Sequence, residues 1–448
     1  MKRLLIAIVN VSILFAACKQ KPVADPAILT DAAVIHNNVG KLTEVIVHDV
    51  FSPPVASRIY SYTSIAAYEA LRFQQPGYPS LAAQMHGFPS MPQPEKDKEY
   101  NYLLASSKAF FTVAEKVTFS VDSLKKYHNK LFDDYRSLLD EETYKRSIEF
   151  GEKVGLAILE RTKKDHYKET RGMPKFLGSS EIGKWRPTPP DYIDGAEPNW
   201  ARILPLTMDS ALHFSALPPP KYSTDTNSLF HQVVKEVYTI GVNLTPEQKT
   251  IAKYWDDNPI VMEHAGHMAF GNKKITPVGH WIGITSIACK MKRLSPIEAA
   301  QTYVLTSAGI YDGFIACWEE KYKSQLVRPI TVINELIDRN WQPFLQTPPF
   351  PEHTSGHSTI SMAAATILTK RFGDNFAFED TSDLAYIGMK RSFKSFMDAA
   401  NEASISRLYG GIHYRTGIEE GNKQGTRIGE YINKNIKLLE DTRTAANN

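Results

Sequence analysis

The stretch PEHTSGHSTISMAAATIL, residues 351–368, places two histidines, a serine and a glycine directly before an alanine-rich apolar run. The run has the composition of a helix, and Ser355 and Gly356 lie near its start. A helix start exposes unpaired N–H groups and carries partial positive charge, so it is a natural seat for an oxyanion. The stretch therefore predicts an anion site, provided that other parts of the chain supply further donors.

Suitable donors occur in two other segments. In CWEEKYKSQLVRP, Lys321 precedes Arg328 by seven residues, so two helical turns would place both on one face, although a residue before proline usually leaves the helix. In ISRLYGGIHYRTG, Arg407 is followed by His413. Arginine offers paired donors, lysine a point charge and a helix start fixed dipoles, which together suit a tetrahedral oxyanion. Each of these segments, taken alone, is more often structural than functional. Their combination favours an anion site.

The apolar spacing is helical through most of the chain and predicts an all-α protein of antiparallel helical bundles. Alternating strand patterns are scarce, and Ser295-Pro296-Ile297-Glu298 forms a capping box. We expect an N-terminal helical region over 28–240 and a site-bearing domain over 241–440. A Pro- and Trp-rich excursion at about 165–230 should run over the surface or form a wall over a site. The helical runs are 28–48, 55–73, 98–118, 122–164, 246–256, 280–292 and 295–325.

Residues 1–17 combine a short basic start with an apolar run that is too short to span a membrane. Small residues then precede Cys18, which resembles the signal peptide of a bacterial lipoprotein, although Phe15 departs from the usual Leu. The sequence predicts an exported protein, lipid-anchored to the cell envelope (periplasm, outer membrane or cell surface) through Cys18, with residues 18–27 as a tether. The alternative is an ordinary signal peptide with an incidental cysteine.

The composition excludes one large class of function. The chain has 448 residues and a formal net charge of +3, so it lacks the strongly basic balance of a nucleic-acid-binding protein. Its hydrophobic content of 42% is ample for a large core.

The order and spacing of the three polar segments resemble the signature of the type-2 phosphatidic acid phosphatase and vanadium-dependent haloperoxidase superfamily. Its parts here are Lys321/Arg328-Pro329, Ser355-Gly356-His357 and Ser406-Arg407/His413. Trp318 and Pro348-Pro349-Phe350 are similar to the halide pocket of the haloperoxidase branch. IAKYWDDNP (251–259) and PVGHW (277–281) are similar to a paired segment of bacterial members. The likeness covers about residues 245–430 and implies helical bundles of the vanadium chloroperoxidase type.

For the haloperoxidase branch, the resemblance implies vanadate as cofactor and hydrogen peroxide and halide as substrates. His413 would be the single protein ligand of vanadium, and His357 the general acid/base. Lys321 would polarise the peroxide, and Asp257 would orient Arg407 or Arg328. The residues expected to hold the vanadate oxygens are Lys321, Arg328, Ser355, Gly356, His357 and Arg407.

The same residues allow a soluble phosphatase without cofactor, in which His413 attacks a phosphoester and His357 protonates the leaving alcohol. The length, the scarcity of long apolar runs and the apolar pair Trp318 and Phe350 favour the haloperoxidase. A third hypothesis is a non-catalytic oxyanion-binding lipoprotein. It is favoured by Gly417, where the superfamily usually has an Asp that orients the imidazole; Glu419, Glu420 or a backbone carbonyl could replace it.

Two further expectations come from other features. Glu263, His264 and His267 could form a divalent-metal cluster if the two histidines share a helix face. A homodimer is a further expectation, because helical bundles with an exposed apolar face often dimerise.

Overall fold

A computed structural model describes residues 24–259, 261–265 and 268–439 of the chain. Within these ranges it contains fifteen α-helices and two small antiparallel hairpins, which confirms the all-α prediction. The predicted signal peptide (1–17), Cys18 and most of the tether lie outside the described residues. Among the helices of the described ranges, none is both long enough and apolar enough to cross a bilayer.

The N-terminal half consists of helices joined by short connections and one long irregular segment. Its α-helices are α1 (Ala33–Asp49), α2 (Pro53–Leu71), α3 (Tyr102–Val117), α4 (Val121–Leu138), α5 (Glu141–Thr162), α6 (Tyr167–Arg171), α7 (Leu229–Val242) and α8 (Pro246–Tyr254). Pro53 and Pro54, which precede the helical run predicted over 55–73, occupy the first turn of α2, where the missing N–H of proline would have no helical partner. The single run predicted over 122–164 is two helices, because Asp140 caps the start of α5 by accepting a hydrogen bond from the Thr143 N–H.

The C-terminal half carries the longest helix and both hairpins. Its elements are β1 (Val261–Ala265), β2 (Met268–Asn272), α9 (Pro277–Met291), α10 (Pro296–Ser324), α11 (Pro329–Leu336), α12 (Gly356–Phe372), β3 (Phe378–Asp380), α13 (Leu384–Ile387), β4 (Arg391–Phe393), α14 (Phe396–Tyr409) and α15 (Arg415–Asn435). The capping box predicted at Ser295 and Glu298 is present at the start of α10. Strand β1 pairs with β2, and β3 pairs with β4.

Helix α10 is buried along most of its length and packs against α2 on one side and α12 and α15 on the other. One apolar cluster extends from Val34 in α1 to Ile436 after α15, so the two halves share a core. The domain boundary at 240/241 stays a prediction.

The irregular segment between α6 and α7 is firmly attached to the bundles. Trp185 and Trp200 are fully buried. The carboxylate of Asp312, on α10, accepts hydrogen bonds from the backbone N–H groups of Leu206 (2.7 Å) and Thr207 (2.8 Å) and from the Thr207 hydroxyl (2.6 Å). A buried carboxylate satisfied in this way fixes the backbone it binds. The excursion expected at about 165–230 is therefore an ordered wall.

Helices α12 and α15 approach each other closely along a row of four glycines of α15, of which the last three face α12. They are Gly417, Gly421, Gly425 and Gly429, spaced by four residues and therefore on one helix face. A Cβ atom at Gly425 would lie 2.0 Å from the Thr359 carbonyl oxygen of α12. This contact sets the distance between the start of α12 and the start of α15.

We predict that Gly425→Ala lowers the free energy of unfolding by about 1–3 kcal/mol or more, because the clash is with backbone and must separate the two helices. Gly40→Ala in α1 is the matched control, since a Cβ there meets nothing within 4 Å. It should stabilise the protein by roughly 0.5–1 kcal/mol through helix propensity. Urea unfolding followed by circular dichroism measures both, and equal effects in the two variants would contradict the close contact.

Candidate active site

One cavity collects most of the residues predicted from the sequence. Its empty volume is about 1190 Å³, including the solvent at its open mouth. Lys321, Arg328 and Ser355 are fully buried next to it. The predicted residues on its lining are Asp257, Trp318, Pro348, Pro349, Phe350, Gly356, His357, Arg407 and His413.

The floor of the cavity is the start of α12. Ser355 is the N-cap residue, and its Oγ accepts hydrogen bonds from the Ser358 N–H (3.3 Å) and the Ser358 hydroxyl (2.9 Å). Because Ser355 accepts in both bonds, its own hydroxyl proton stays available. The first helical residues, Gly356 and His357, face the cavity with a helix start behind them.

Two buried arginines contribute positive charge. Arg328 precedes α11 and donates to the carbonyls of Phe350 and Ile412, each at 2.7 Å, while its Nη2 has no hydrogen-bond partner among the described residues. Arg407, in the last turn of α14, donates to Ser406 Oγ and to the carbonyl of Trp255. Burial lowers the pKa of each arginine to about 10, so both stay charged at neutral pH.

Lys321 is fully buried next to the cavity and is not among its lining residues. Its Nζ donates to the carbonyls of Pro351 (3.0 Å), Glu352 (3.1 Å) and Thr354. It therefore fixes the loop that leads into α12, and burial lowers its pKa to about 8. The expectation that Lys321 and Arg328 share a helix face is wrong, because α10 ends at Ser324 and Gln325 adopts a left-handed conformation.

His413 is held by a carboxylate that the sequence did not reveal. Its Nδ1 donates to Glu352 Oε1 at 2.7 Å, and the same oxygen accepts the Tyr414 N–H at 3.0 Å. With the proton on Nδ1, the Nε2 lone pair is free to accept a hydrogen bond from Arg328 Nη1 at 3.1 Å. Burial, followed by the charges of Arg328 and Lys321, lowers the pKa of His413 well below its usual value.

Gly417 provides the space for this carboxylate. A Cβ at Gly417 would lie 2.4 Å from Glu352 Oε1 and 2.8 Å from Oε2. Glu352 thus occupies the place that a side chain at 417 would need. Neither Glu419 nor Glu420 is the replacement, because Glu419 is exposed and Glu420 accepts from the Leu217 N–H and pairs with Lys423. Glu352 lies in the opening stretch, where its place just before His353 and Ser-Gly-His was the available signal.

His357 lies beside Asp257. Its Nε2 is 3.7 Å from Asp257 Oδ2 and has no hydrogen-bond partner among the described residues. Burial and the charge of Arg407 lower the pKa of His357 to about 4, so the ring is neutral at pH 7. Asp257 was expected to pair with Arg407 or Arg328. Its charge acts on Arg407, but no direct ion pair with either arginine occurs among the described residues, and its carboxylate contacts His280 Nδ1 at 3.0 Å.

An apolar wall closes one side of the cavity. The rings of Trp318 and Phe350 have centroids 5.0 Å apart. The irregular segment between α6 and α7 holds this wall, since Trp318 Nε1 donates to the Ala196 carbonyl (3.2 Å) and the Ala196 N–H donates to the Pro349 carbonyl (2.7 Å). The N-terminal half therefore shapes the site.

The metal cluster expected at Glu263, His264 and His267 requires a helix that carries both histidines, and His264 lies in a strand instead. Residues 261–265 form strand β1, with His264 paired to Ala269 of β2, so His264 does not lie on a helix. His267 lies outside the described residues.

The cavity residues fit a tetrahedral oxyanion. Arg328 Nη2 and His357 Nε2 are buried nitrogens without hydrogen-bond partners among the described residues, and they accompany two buried arginines and a helix start. Unpaired buried donors are costly, and an anion that accepts from several of them removes that cost.

Comparison with known proteins identifies relatives of this arrangement. The family model of the VCPO second helical-bundle domain matches residues 301–441. A crystal structure of the first bacterial vanadium-dependent iodoperoxidase is 42% identical, with a TM-score of 0.88, over 93% of this chain and 99% of that one. A search of curated proteins gives no match.

Two structures of bacterial vanadium-dependent chloroperoxidase share the fold at lower identity. The holo form is 17% identical with a TM-score of 0.68, over 87% of this chain and 94% of that one. The apo form is 15% identical with a TM-score of 0.67, over 86% and 95%. The identity with the iodoperoxidase over nearly the whole length shows that the chain belongs to the family of bacterial vanadium-dependent haloperoxidases.

Proposed function

We propose that the protein is a vanadate-dependent haloperoxidase that oxidises halide with hydrogen peroxide. The observation that carries the proposal is His413, which lines a cavity with buried cations and an apolar wall and whose Nε2 is kept unprotonated by the bond from Nδ1 to Glu352. The identity with a bacterial vanadium-dependent iodoperoxidase supports it.

Vanadate would be held by the residues that fit an oxyanion. His413 Nε2 would be the metal ligand, and Arg328, Arg407, Ser355 and the N–H of Gly356 would donate to the vanadate oxygens. Bound vanadate supplies a Lewis acid that activates hydrogen peroxide for attack by halide. Lys321 adds a positive charge from behind and holds the loop in place.

Two residues of the chain, His357 and Asp257, would carry out the proton transfer. Near pH 7 His357 is neutral, so it can accept the proton that hydrogen peroxide releases on binding and return it to a departing hydroxide. The Asp257 carboxylate at 3.7 Å stabilises the imidazolium formed in between.

The apolar wall suits a weakly hydrated anion, and we propose iodide as the preferred halide. Trp318 and Phe350 offer aromatic surface rather than hydrogen-bond donors beside the cationic residues. Iodide loses less hydration than chloride on entering such a site. The iodoperoxidase relative supports the same choice.

The phosphatase alternative uses the same His413 and His357, but an apolar wall does not suit a polar phosphoester. The binding-protein alternative relied on Gly417 leaving His413 without a carboxylate. Glu352 removes that argument.

We predict that His413→Ala and His357→Ala remove halide oxidation. His413→Ala should lose vanadate binding, whereas His357→Ala should retain binding and lose about 10²–10⁴-fold in kcat. The assay is dye halogenation with peroxide and iodide, bromide or chloride after incubation of apo-protein with orthovanadate. Hydrolysis of p-nitrophenyl phosphate that vanadate inhibits, without halogenation, would support the phosphatase instead.

We predict that Glu352→Gln weakens vanadate binding to the apo-protein by about 10–100-fold, as for other partners of metal-bound histidines. Gly417→Asp alone should also weaken it, because its Cβ meets Glu352. The double variant Glu352→Ala/Gly417→Asp should recover most of the affinity by supplying a carboxylate from α15. Equilibrium dialysis measures the affinities, with Glu420→Gln as an unaffected control. No loss in Glu352→Gln would refute its role.

We also propose that the protein is exported and lipid-anchored through Cys18, on the basis of the sequence pattern alone. Partition of the protein expressed in bacteria into a detergent phase should be lost in Cys18→Ala and kept in Cys289→Ala. Partition retained in Cys18→Ala would exclude this anchor. Dimerisation stays a prediction.

A further inference from the structure

A second group of buried ionisable residues adjoins His357 through Asp257. Its centre is His280, in the first turn of α9, which is completely buried. Around it are Asp257, after α8, Asp380, at the end of β3, and Asp383, before α13. All three carboxyl groups are buried as well. The vanadate chemistry described above uses only Asp257.

Both ring nitrogens of His280 face carboxylates. Nδ1 is 3.0 Å and 3.1 Å from the two oxygens of Asp257, and Nε2 is 2.8 Å from Asp380 Oδ2. Asp383 lies 3.6 Å from Nδ1. These are hydrogen-bond distances on both sides of the ring, which only the doubly protonated imidazolium can satisfy by donation.

The ring is also held in one plane. The Trp255 indole stacks on it with centroids 4.4 Å apart and an interplanar angle of 18°. Tyr254 packs against it edge-on at 5.3 Å. With both nitrogens and one face fixed, His280 has a single orientation.

The charges of the group agree with this geometry. Burial opposes protonation of His280, but Asp257 and Asp380 raise its pKa well above the usual value. Burial, together with the negative charges of Asp257 and Asp380, raises the pKa of Asp383 to about 8, so Asp383 is mostly neutral at pH 7. The group then carries one net negative charge, opposite in sign to the arginines of the cavity.

The carboxylate of Asp257 connects this group to the active site. It lines the cavity, and Oδ2 lies 3.7 Å from His357 Nε2. Its backbone is in the left-handed region, with φ 42°. A residue in this conformation persists where its surroundings fix it, and the ion pair with His280 does so.

We infer that His280, held between Asp257 and Asp380, is a positioning residue that fixes the Asp257 carboxylate beside the acid/base histidine His357. The inference rests on the proposed haloperoxidase function. His280 is not itself a lining residue of the cavity, and it acts through Asp257, which is one.

The strongest competing explanation is a metal ion. Ligand atoms of Asp257, His280 and Asp383 lie within 4.8 Å of one another, as in a cation site. In that case Nδ1 would carry no proton. The two explanations therefore differ in the number of ring N–H protons on His280.

The first test uses vanadate-free protein with ¹⁵N-labelled histidine. We expect two slowly exchanging ring N–H protons on one imidazole at pH 7, both absent in His280→Gln. The ring-nitrogen shifts of His357 should change in His280→Gln and not in His36→Gln, a buried histidine bonded to Tyr303 in another part of the core. A single N–H proton, with stoichiometric metal lost in His280→Gln, would overturn the inference, as would unchanged His357 shifts.

The second test uses the vanadate-loaded enzyme. His280→Gln should lower kcat by about 10–100-fold, the usual effect of losing a supporting hydrogen bond, while the halide KM and the vanadate affinity stay within about twofold. His36→Gln should lose stability without loss of kcat. Equal kcat losses in His280→Gln and His36→Gln would show that His280 has only a structural role and would contradict the inference. Inactivity of the wild type would contradict the proposed function alone, because the first test needs no turnover.

Discussion

The close contact between α12 and α15 is the constraint on which the active site depends. The glycines of α15 let its backbone approach α12, so that the carbonyls of Ser355 and Thr359 lie where side chains would otherwise be. This approach brings His413, just before α15, to the start of α12 at Gly356. At the end of the same row, Gly417 leaves room for Glu352. The glycine face of α15 therefore sets both the packing of α15 against α12 and the orientation of His413.

The second constraint is the burial of positive charge. Lys321, Arg328 and Arg407 are removed from water, which is costly unless each charge is compensated. Backbone carbonyls accept most of their hydrogen bonds. Glu352 supplies negative charge near Arg328 and Lys321, and Asp257 supplies it near Arg407. Arg328 Nη2 is left without a hydrogen-bond partner among the described residues. A site built in this way favours an anion with several oxygens, because one such group satisfies several donors at once.

Much of the active site could be predicted from the sequence, because its motifs are local. The start of α12, the spacing of Arg407 and His413 and the irregular wall all follow from neighbouring residues. Glu352 could not be assigned, because its contact with His413 depends on a loop that Lys321 holds through tertiary hydrogen bonds. The pairing of Asp257 with His280 was missed for a similar reason: chain segments far apart in sequence form that group. The pair Lys321 and Arg328 was misplaced because α10 ends at Ser324, with Gln325 in a left-handed conformation. Pro329 signalled that Arg328 would leave the helix but did not signal that the helix would end four residues before Arg328.

The choice between phosphate ester and halide is made by residues outside the oxyanion motifs. Arg328, Arg407, His357 and His413 would serve either reaction, since vanadate and phosphate have the same shape. The aromatic pair Trp318 and Phe350 is different, because its position depends on Ala196, which bonds both Trp318 and Pro349 from the irregular segment of the N-terminal half. That segment is held in turn by Asp312 on α10. The N-terminal half thus bears on which anion can lie beside the cationic residues without supplying any of the catalytic groups proposed above, because it fixes the aromatic wall formed by Trp318 and Phe350.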